Sequence, residues 1–306
     1  SRSVPALSQL ANASSTAPIW RATAMEALGE SGGRDALQTA TTLIYDDDPL
    51  LRVSTVRALQ FMPLHQRFQL LMPLVDDDVT AVRMEVALSL AGVPLDQIKP
   101  EQAQQLRALF QEYLKIQQQH ADMPGVQLQL GVFNVTRGDI PAAEAAYREA
   151  LHLNPQLVPA YLNLADLLRA QSRDDEARQQ LLQALQVDAD NGPTLHALGL
   201  LETRSAEPEK ALGYLQRAAE LESSGTRHRF VYAIALHDLG QPREAIVQLQ
   251  ALLRSVPRNT DVLLALANYH AELGENSKAL PYAATLIEIA PGNQAYQQLY
   301  QQLSSQ

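Results

Sequence analysis

Residues 137–155 read RGDIPAAEAAYREALHLNP, and residues 239–257 read LGQPREAIVQLQALLRSVP. Both stretches place Gly near their start, then an Ala-rich apolar run at helical spacing, then a closing proline. Pro257 and Pro291 are 34 residues apart, and Pro155 precedes Pro257 by three such steps. Counting copies from residues 124, 158, 192, 226 and 260, column twenty reads Ala143, Ala177, Ala211, Ala245 and Ala279. Column eight reads Gly131, Ala165, Gly199, Ala233 and Ala267.

Small residues in two columns are what a close crossing of antiparallel helices requires, since a bulky side chain at the contact forces the axes apart. Large residues surround the crossing. Leu130, Leu164, Leu198, Tyr232 and Leu266 precede column eight, and Tyr147, Leu181, Leu215 and Leu249 lie four residues after the alanines. Gly138, Gly240 and Gly274 supply a left-handed stop after the first helix of a copy, and the prolines end the second.

With this period and these columns, residues 124–291 resemble five tetratricopeptide repeats. The copies depart from the pattern at Asn134, Glu202 and His270, which replace a bulky column-eleven residue, and at Ala189 and Ser223, which stand in place of the terminal proline. Residues 292–306 contain QAYQQLYQQL, a polar helix suited to capping the last repeat.

Residues 1–95 keep a different beat. PIWRATAMEALG, PLLRVSTVRALQ and TAVRMEVALSLA align with Arg21, Arg52 and Arg83 spaced 31 apart and with Leu28, Leu59 and Leu90 in one column. Three helical pairs follow, the second helix of a pair introduced by Asp46 to Asp48 or Asp76 to Asp78, with Asp48 before Pro49 as a cap and first-turn proline. Asp46 and Asp77 lie six residues before Arg52 and Arg83, a spacing that resembles the aspartate and arginine ladder of HEAT repeats. Ser15 replaces the aspartate in the first copy, so the ladder is expected to be incomplete there. Trp20 shares a column with Leu51 and Val82 and is expected in the core. Residues 96–123 read as a joining helix, with Leu109, Tyr113 and Ile116 in the columns of half a tetratricopeptide repeat. A helical joint of this kind is expected to hold both arrays in one rigid superhelix. The fold class is all-α, a right-handed α-solenoid.

Composition narrows the function. The net charge is -10, with 10 basic and 13 acidic residues in 1–120 and 14 and 21 in the remainder. An acidic chain lacks the cationic face that nucleic acid or an anionic membrane needs, and no stretch is apolar enough to insert in a bilayer. With no cysteine there is no thiolate metal site, thiol nucleophile or haem attachment. The start, SRSVPALS, lacks an initiator Met and opens into a helical pattern, as expected of a piece of a longer protein.

No phosphate loop, zinc-protease helix, nucleophile elbow or calcium loop is found, so neither catalysis nor a cofactor is expected. The aspartate runs are read as helix caps. His196, His237 and His270 fall on first helices of successive repeats. Without a carboxylate or second histidine at helical spacing they are read as a polar groove rim, with no metal assigned. The sequons at Asn12 and Asn134 sit in or beside predicted helix and carry no weight as glycosylation sites.

The tetratricopeptide resemblance implies that columns two, five, nine and twelve of each first helix line a concave groove. These are Leu128, Val132 and Val135, then Leu162, Asp166 and Arg169, then His196, Leu200 and Thr203. Arg227, Phe230, Ile234 and His237 follow, with Asp261, Leu264, Asn268 and Ala271 in the last repeat. Contiguous apolar residues in a groove mark a contact surface. The Lys and Asn clamp of the chaperone-tail binders is absent, since Leu128 and Val132 occupy its first columns and only Asn163 and Arg227 stand near clamp positions. Arg227, Arg229, Arg254 and Arg258 form a local basic concentration that would orient an acidic group.

The expected function is therefore a non-catalytic protein-protein interaction scaffold whose partner is a protein or peptide, apolar with some acidic character. An alternative rests on another resemblance: HEAT-like repeats, a joining helix, then YLNLADLL and VYAIALHDLG are similar to regions that follow multihaem segments in some bacterial exported proteins. That would make the chain a periplasmic docking region for the upstream part of its own longer chain.

Overall fold

The computed structural model describes residues 3–221 and 225–305. Among the described residues there are eighteen α-helices and no strand, an all-α solenoid of helical hairpins. They pack as two compact units, Ser1–Pro155 and Gln156–Gln306.

The first unit contains three helical pairs, α1 (Ser3–Asn12) with α2 (Pro18–Ser31), α3 (Gly33–Leu43) with α4 (Pro49–Ala58), and α5 (Leu64–Leu71) with α6 (Thr80–Leu90). Asp48 caps α4 by accepting from the Leu50 N–H, with Pro49 in the first turn where no N–H is needed. Leu28, Leu59 and Leu90 are buried in one core. Gly29 permits α2 to meet α4, because a Cβ there would stand 2.6 Å from Ala58 Cα.

The arginine ladder runs between pairs. Arg21 donates to Asp46 at 2.8 Å and to the Ala11 carbonyl. Arg52 donates to both carboxylate oxygens of Asp77 and to the Asp46 and Asp47 carbonyls. Arg83 reaches the Asp77 carbonyl and Glu112 of α7 (Pro100–Gln118). At the Ser15 end, Arg21 takes the Ala11 carbonyl, where Arg52 and Arg83 take the main-chain carbonyl of the aspartate six residues before them.

Trp20 is a correction to the expected core: it is 62% exposed, whereas Leu51 and Val82 are fully buried. It stands in the first pair of the described stack, and a terminal repeat leaves exposed what its inner counterparts bury.

The joining helix and the first tetratricopeptide pair, α8 (Pro124–Arg137) and α9 (Ile140–Leu153), share this same core. Leu109 and Tyr113 are buried on α7, and Ile116 is half-buried. Phe133 of α8 lies 5.7 Å from Phe110 and 4.6 Å from Tyr113, ring centre to ring centre. Arg137 donates to the Ala91 carbonyl and stacks its guanidinium 4.6 Å over Phe110.

The second unit pairs α10 (Val158–Ala170) with α11 (Asp174–Val187), α12 (Gly192–Arg204) with α13 (Pro208–Glu220), α14 (Thr226–Asp238) with α15 (Pro242–Ser255), and α16 (Thr260–Glu272) with α17 (Asn276–Ile289). Across both units every residue of columns eight and twenty is buried. Column fifteen is left-handed in all five copies: Gly138, Ser172, Ala206, Gly240 and Gly274 have φ of 78°, 61°, 57°, 75° and 71°. Two of the three departures in column eleven are met by pairing. Glu202 is buried and accepts from Arg178 Nε at 2.7 Å, and His270 Nδ1 lies 2.7 Å from Glu275 Oε2. Ala189 follows the end of α11; Ser223 lies outside the described residues. The Asn293 side chain caps α18 (Gln294–Ser304), and Leu303 packs against Ala279 and Ala283.

Candidate functional site

Residues three to four apart on a helix share a face, and the first helices of the second unit turn the expected stripe toward two adjoining clefts. One, of about 560 Å³, is lined by Leu162, Asp166 and Arg169 of α10, His196 and Leu200 of α12, and Arg227 of α14, with Asn163, Arg204 and His228 beside them. The other, of about 430 Å³, shares Leu200 and is otherwise formed chiefly by Ala206, Leu215, Val231, Ile234 and Leu239. Its wall is almost wholly apolar, with Thr203 and Asp238 at its polar margin.

The remaining stripe residues are placed differently. Phe230 is half-buried against the core of the last two pairs. His237 stacks on Tyr269 with ring centres 3.7 Å apart and planes 3° off parallel, its Nε2 2.6 Å from Glu272 Oε2. Burial lowers the His237 pKa, but the hydrogen bonds and charges of Glu272 and Asp238 outweigh it and hold the ring above the ordinary histidine value. Leu264 and Asn268 are half-buried on α16 and line neither cleft. Leu128, Val132 and Val135 belong to the first unit, where Val132 and Val135 are exposed on α8 and Leu128 is half-buried. Arg254 lines a separate cleft with Leu253, Pro257 and Tyr282, so the expected basic concentration is not gathered in one place.

Charge in the larger cleft is mostly neutralised. Arg169 pairs with Asp166 at 3.3 Å and Arg204 with Asp174 at 3.2 Å. Arg227 is exposed and makes no ion pair among the described residues. Burial, then His228 and Arg227, push the His196 pKa down to about 4, and burial and Arg227 lower that of His228. His228 lies off the stripe because it occupies column three, one residue past Arg227, and between Arg227 and Arg229 nothing in the sequence sets it apart. Among the described residues no group of three or more His, Asp or Glu is placed to hold a metal ion. No helix of the described residues is long and apolar enough to cross a membrane.

Comparison with known proteins agrees with this architecture. Residues 4–91 match the family model of HEAT repeats, and residues 135–199 and 236–303 match that of the tetratricopeptide repeat. The chain thus carries HEAT repeats followed by tetratricopeptide repeats. It is similar to anaphase-promoting complex subunit 3 of Schizosaccharomyces pombe (23% identical, 46% of this chain, 21% of that protein). It is also similar to cellulose synthase operon protein C of Pseudomonas fluorescens (28% identical, 69% of this chain, 17% of that protein). The chain therefore spans about a fifth of the length of these curated relatives. Among solved structures, that of Pseudomonas aeruginosa pilF superposes with a TM-score of 0.50 at 21% identity, covering 60% of this chain and 83% of that one. This is a likeness of fold. Tetratricopeptide repeats form a protein-protein interaction scaffold whose members bind protein or peptide partners, and repeat scaffolds of this kind are usually non-catalytic.

Proposed function

We propose that the second unit is a non-catalytic docking module that holds a peptide segment of a partner protein, apolar with an acidic group, along the face of α10, α12 and α14. The observation that carries this reading is the pair of contiguous clefts meeting at Leu200, one apolar and one offering the unpaired Arg227. An apolar side chain removed from water in the Leu200 and Ile234 cleft supplies affinity, and a carboxylate beside Arg227 sets orientation. The partner-binding set of this unit is Leu162, Asp166, Arg169, His196, Leu200, Arg227 and Ile234, with Phe230, His237, Leu264 and Asn268 further along the same stripe.

Selection of peptides from a random display library on the purified chain tests it. Enrichment of apolar, acidic sequences on the native protein and their loss on Leu200→Asp with Ile234→Asp, at unchanged helicity, is the expected result. Equal enrichment on both proteins removes the clefts from the function.

A further inference from the structure

The larger cleft contains two groups that a purely apolar docking surface has no use for. His196 is 8% exposed, and neither its Nδ1 nor its Nε2 has a hydrogen-bond partner. Its ring centre lies 4.9 Å from that of His228 on the neighbouring α14, and the Nδ1 of His228 is unpartnered as well. Buried polar atoms are ordinarily hydrogen-bonded, because leaving one without a partner forfeits its solvation. Both rings line the cleft next to Arg227.

The surroundings decide what such a pair would receive. The charged groups that face it are Asp166 and Arg169 of α10, bound to each other, Arg204 of α12, bound to Asp174 of α11, and Arg227 of α14. A cation would meet the Arg227 guanidinium and find two imidazoles beside an Asp166 carboxylate already paired with Arg169, which do not make a three-ligand site. An anion would meet one uncommitted positive charge and imidazole nitrogens able to donate. The ligand class that fits both this chemistry and an apolar peptide is a carboxylate.

We propose that His196 and His228, together with Arg227, form a carboxylate-binding subsite of the cleft that takes up a proton as the partner's carboxylate enters, so that docking tightens in mild acid. The inference rests on the peptide-docking reading and adds a regulated subsite to it. In the empty cleft burial keeps both rings neutral at physiological pH, His196 down to a pKa of about 4. A carboxylate supplies an opposite charge and acceptors, which favour the protonated imidazole. Between about 4 and the higher value of the occupied state the complex holds more protons than the free protein. Affinity therefore rises as pH falls through that window, until protonation of the partner's own carboxylate, near its ordinary value of about 4.3, reverses the trend.

The probes are N-acetyl-Ala-Leu-Glu-Leu-Ala-amide, its Gln counterpart, and the Gln peptide with a free C-terminal carboxylate. Ring proton resonances of the histidines and calorimetry at pH 5.0 and 7.5 are the readouts. The Glu peptide is expected to move the His196 and His228 resonances and to bind on the order of tenfold more tightly at the lower pH. The Gln amide shows no such difference, and the free-terminus peptide reports whether a chain end serves as well as a side chain. Arg227→Gln and His196→Gln each remove the pH difference while helicity is retained. The proposal falls if Glu and Gln amides bind with the same pH dependence, a result that leaves peptide docking standing. It also falls if no probe at millimolar concentration shifts either ring. Failure of docking itself is read separately, from the display selection.

Discussion

Gly131 of α8 faces the ring of Tyr147 on α9 so closely that a Cβ on the glycine would overlap the Tyr147 ring carbons. The third repeat repeats the device with Gly199 against Leu215, where a Cβ would stand 2.5 Å from Cγ. Repeats two and four pair Ala165 with Leu181 and Ala233 with Leu249, all buried. Gly131→Ala gains helix propensity but overpacks the crossing, and is expected to cost about 1 to 3 kcal/mol in urea unfolding. Adding Tyr147→Leu recreates the pairing of repeats two and four and should return most of that loss. A double variant no more stable than the single one would show that the crossing is not what selects glycine.

Ala206 follows α12 at φ 57°, where three of the other four copies carry glycine. An L residue there is strained by about 1 to 2 kcal/mol, offset in part by the lower unfolded-chain entropy of alanine. Ala206→Gly is therefore expected to stabilise the second unit by roughly 0.5 to 1 kcal/mol, and Gly240→Ala to destabilise it by a similar amount. Thermal unfolding of the two variants checks both signs at once.

Arg52 is held between the Asp77 carboxylate and two backbone carbonyls, with side chains of Arg52 and Asp77 10% and 6% exposed. Removing it strands a buried carboxylate, so Arg52→Ala is expected to cost about 3 to 5 kcal/mol. Burial pushes the Asp77 pKa up, but Arg52 and the Val79 N–H pull harder and leave it below the ordinary value. Its contribution is complete above the usual aspartate range and disappears as pH falls through the depressed folded value. Acid unfolding of the native protein should carry this dependence, and Arg52→Ala should have lost it.

Much of the fold was legible in the residues because its determinants are local. Columns of small side chains at 34-residue spacing, left-handed stops and closing prolines specify each hairpin from within one repeat, and Asp48 with Pro49 marks a helix start by short-range hydrogen bonding alone. Partners from other repeats were harder to read. Glu112 completes the arginine ladder from a helix outside the HEAT pairs, and nothing in its own neighbourhood announced it. His228 sits one residue off the groove stripe, and became part of the cleft only because α14 packs beside α12.

What the sequence by itself determined is the unit of construction: a tiny side chain opposite a large one, repeated in step, leaves antiparallel helices no other close-packed arrangement. Which stripe residues line a cleft was decided only in the tertiary structure. Leu200 and Ile234 face open space, while Phe230 and His237 are taken up by the neighbouring repeat. Burial of a residue depends on the side chains that arrive from the adjacent helices, and helical periodicity carries no information about those. For the same reason Trp20, in register with two core residues, ended exposed at the first pair of the stack.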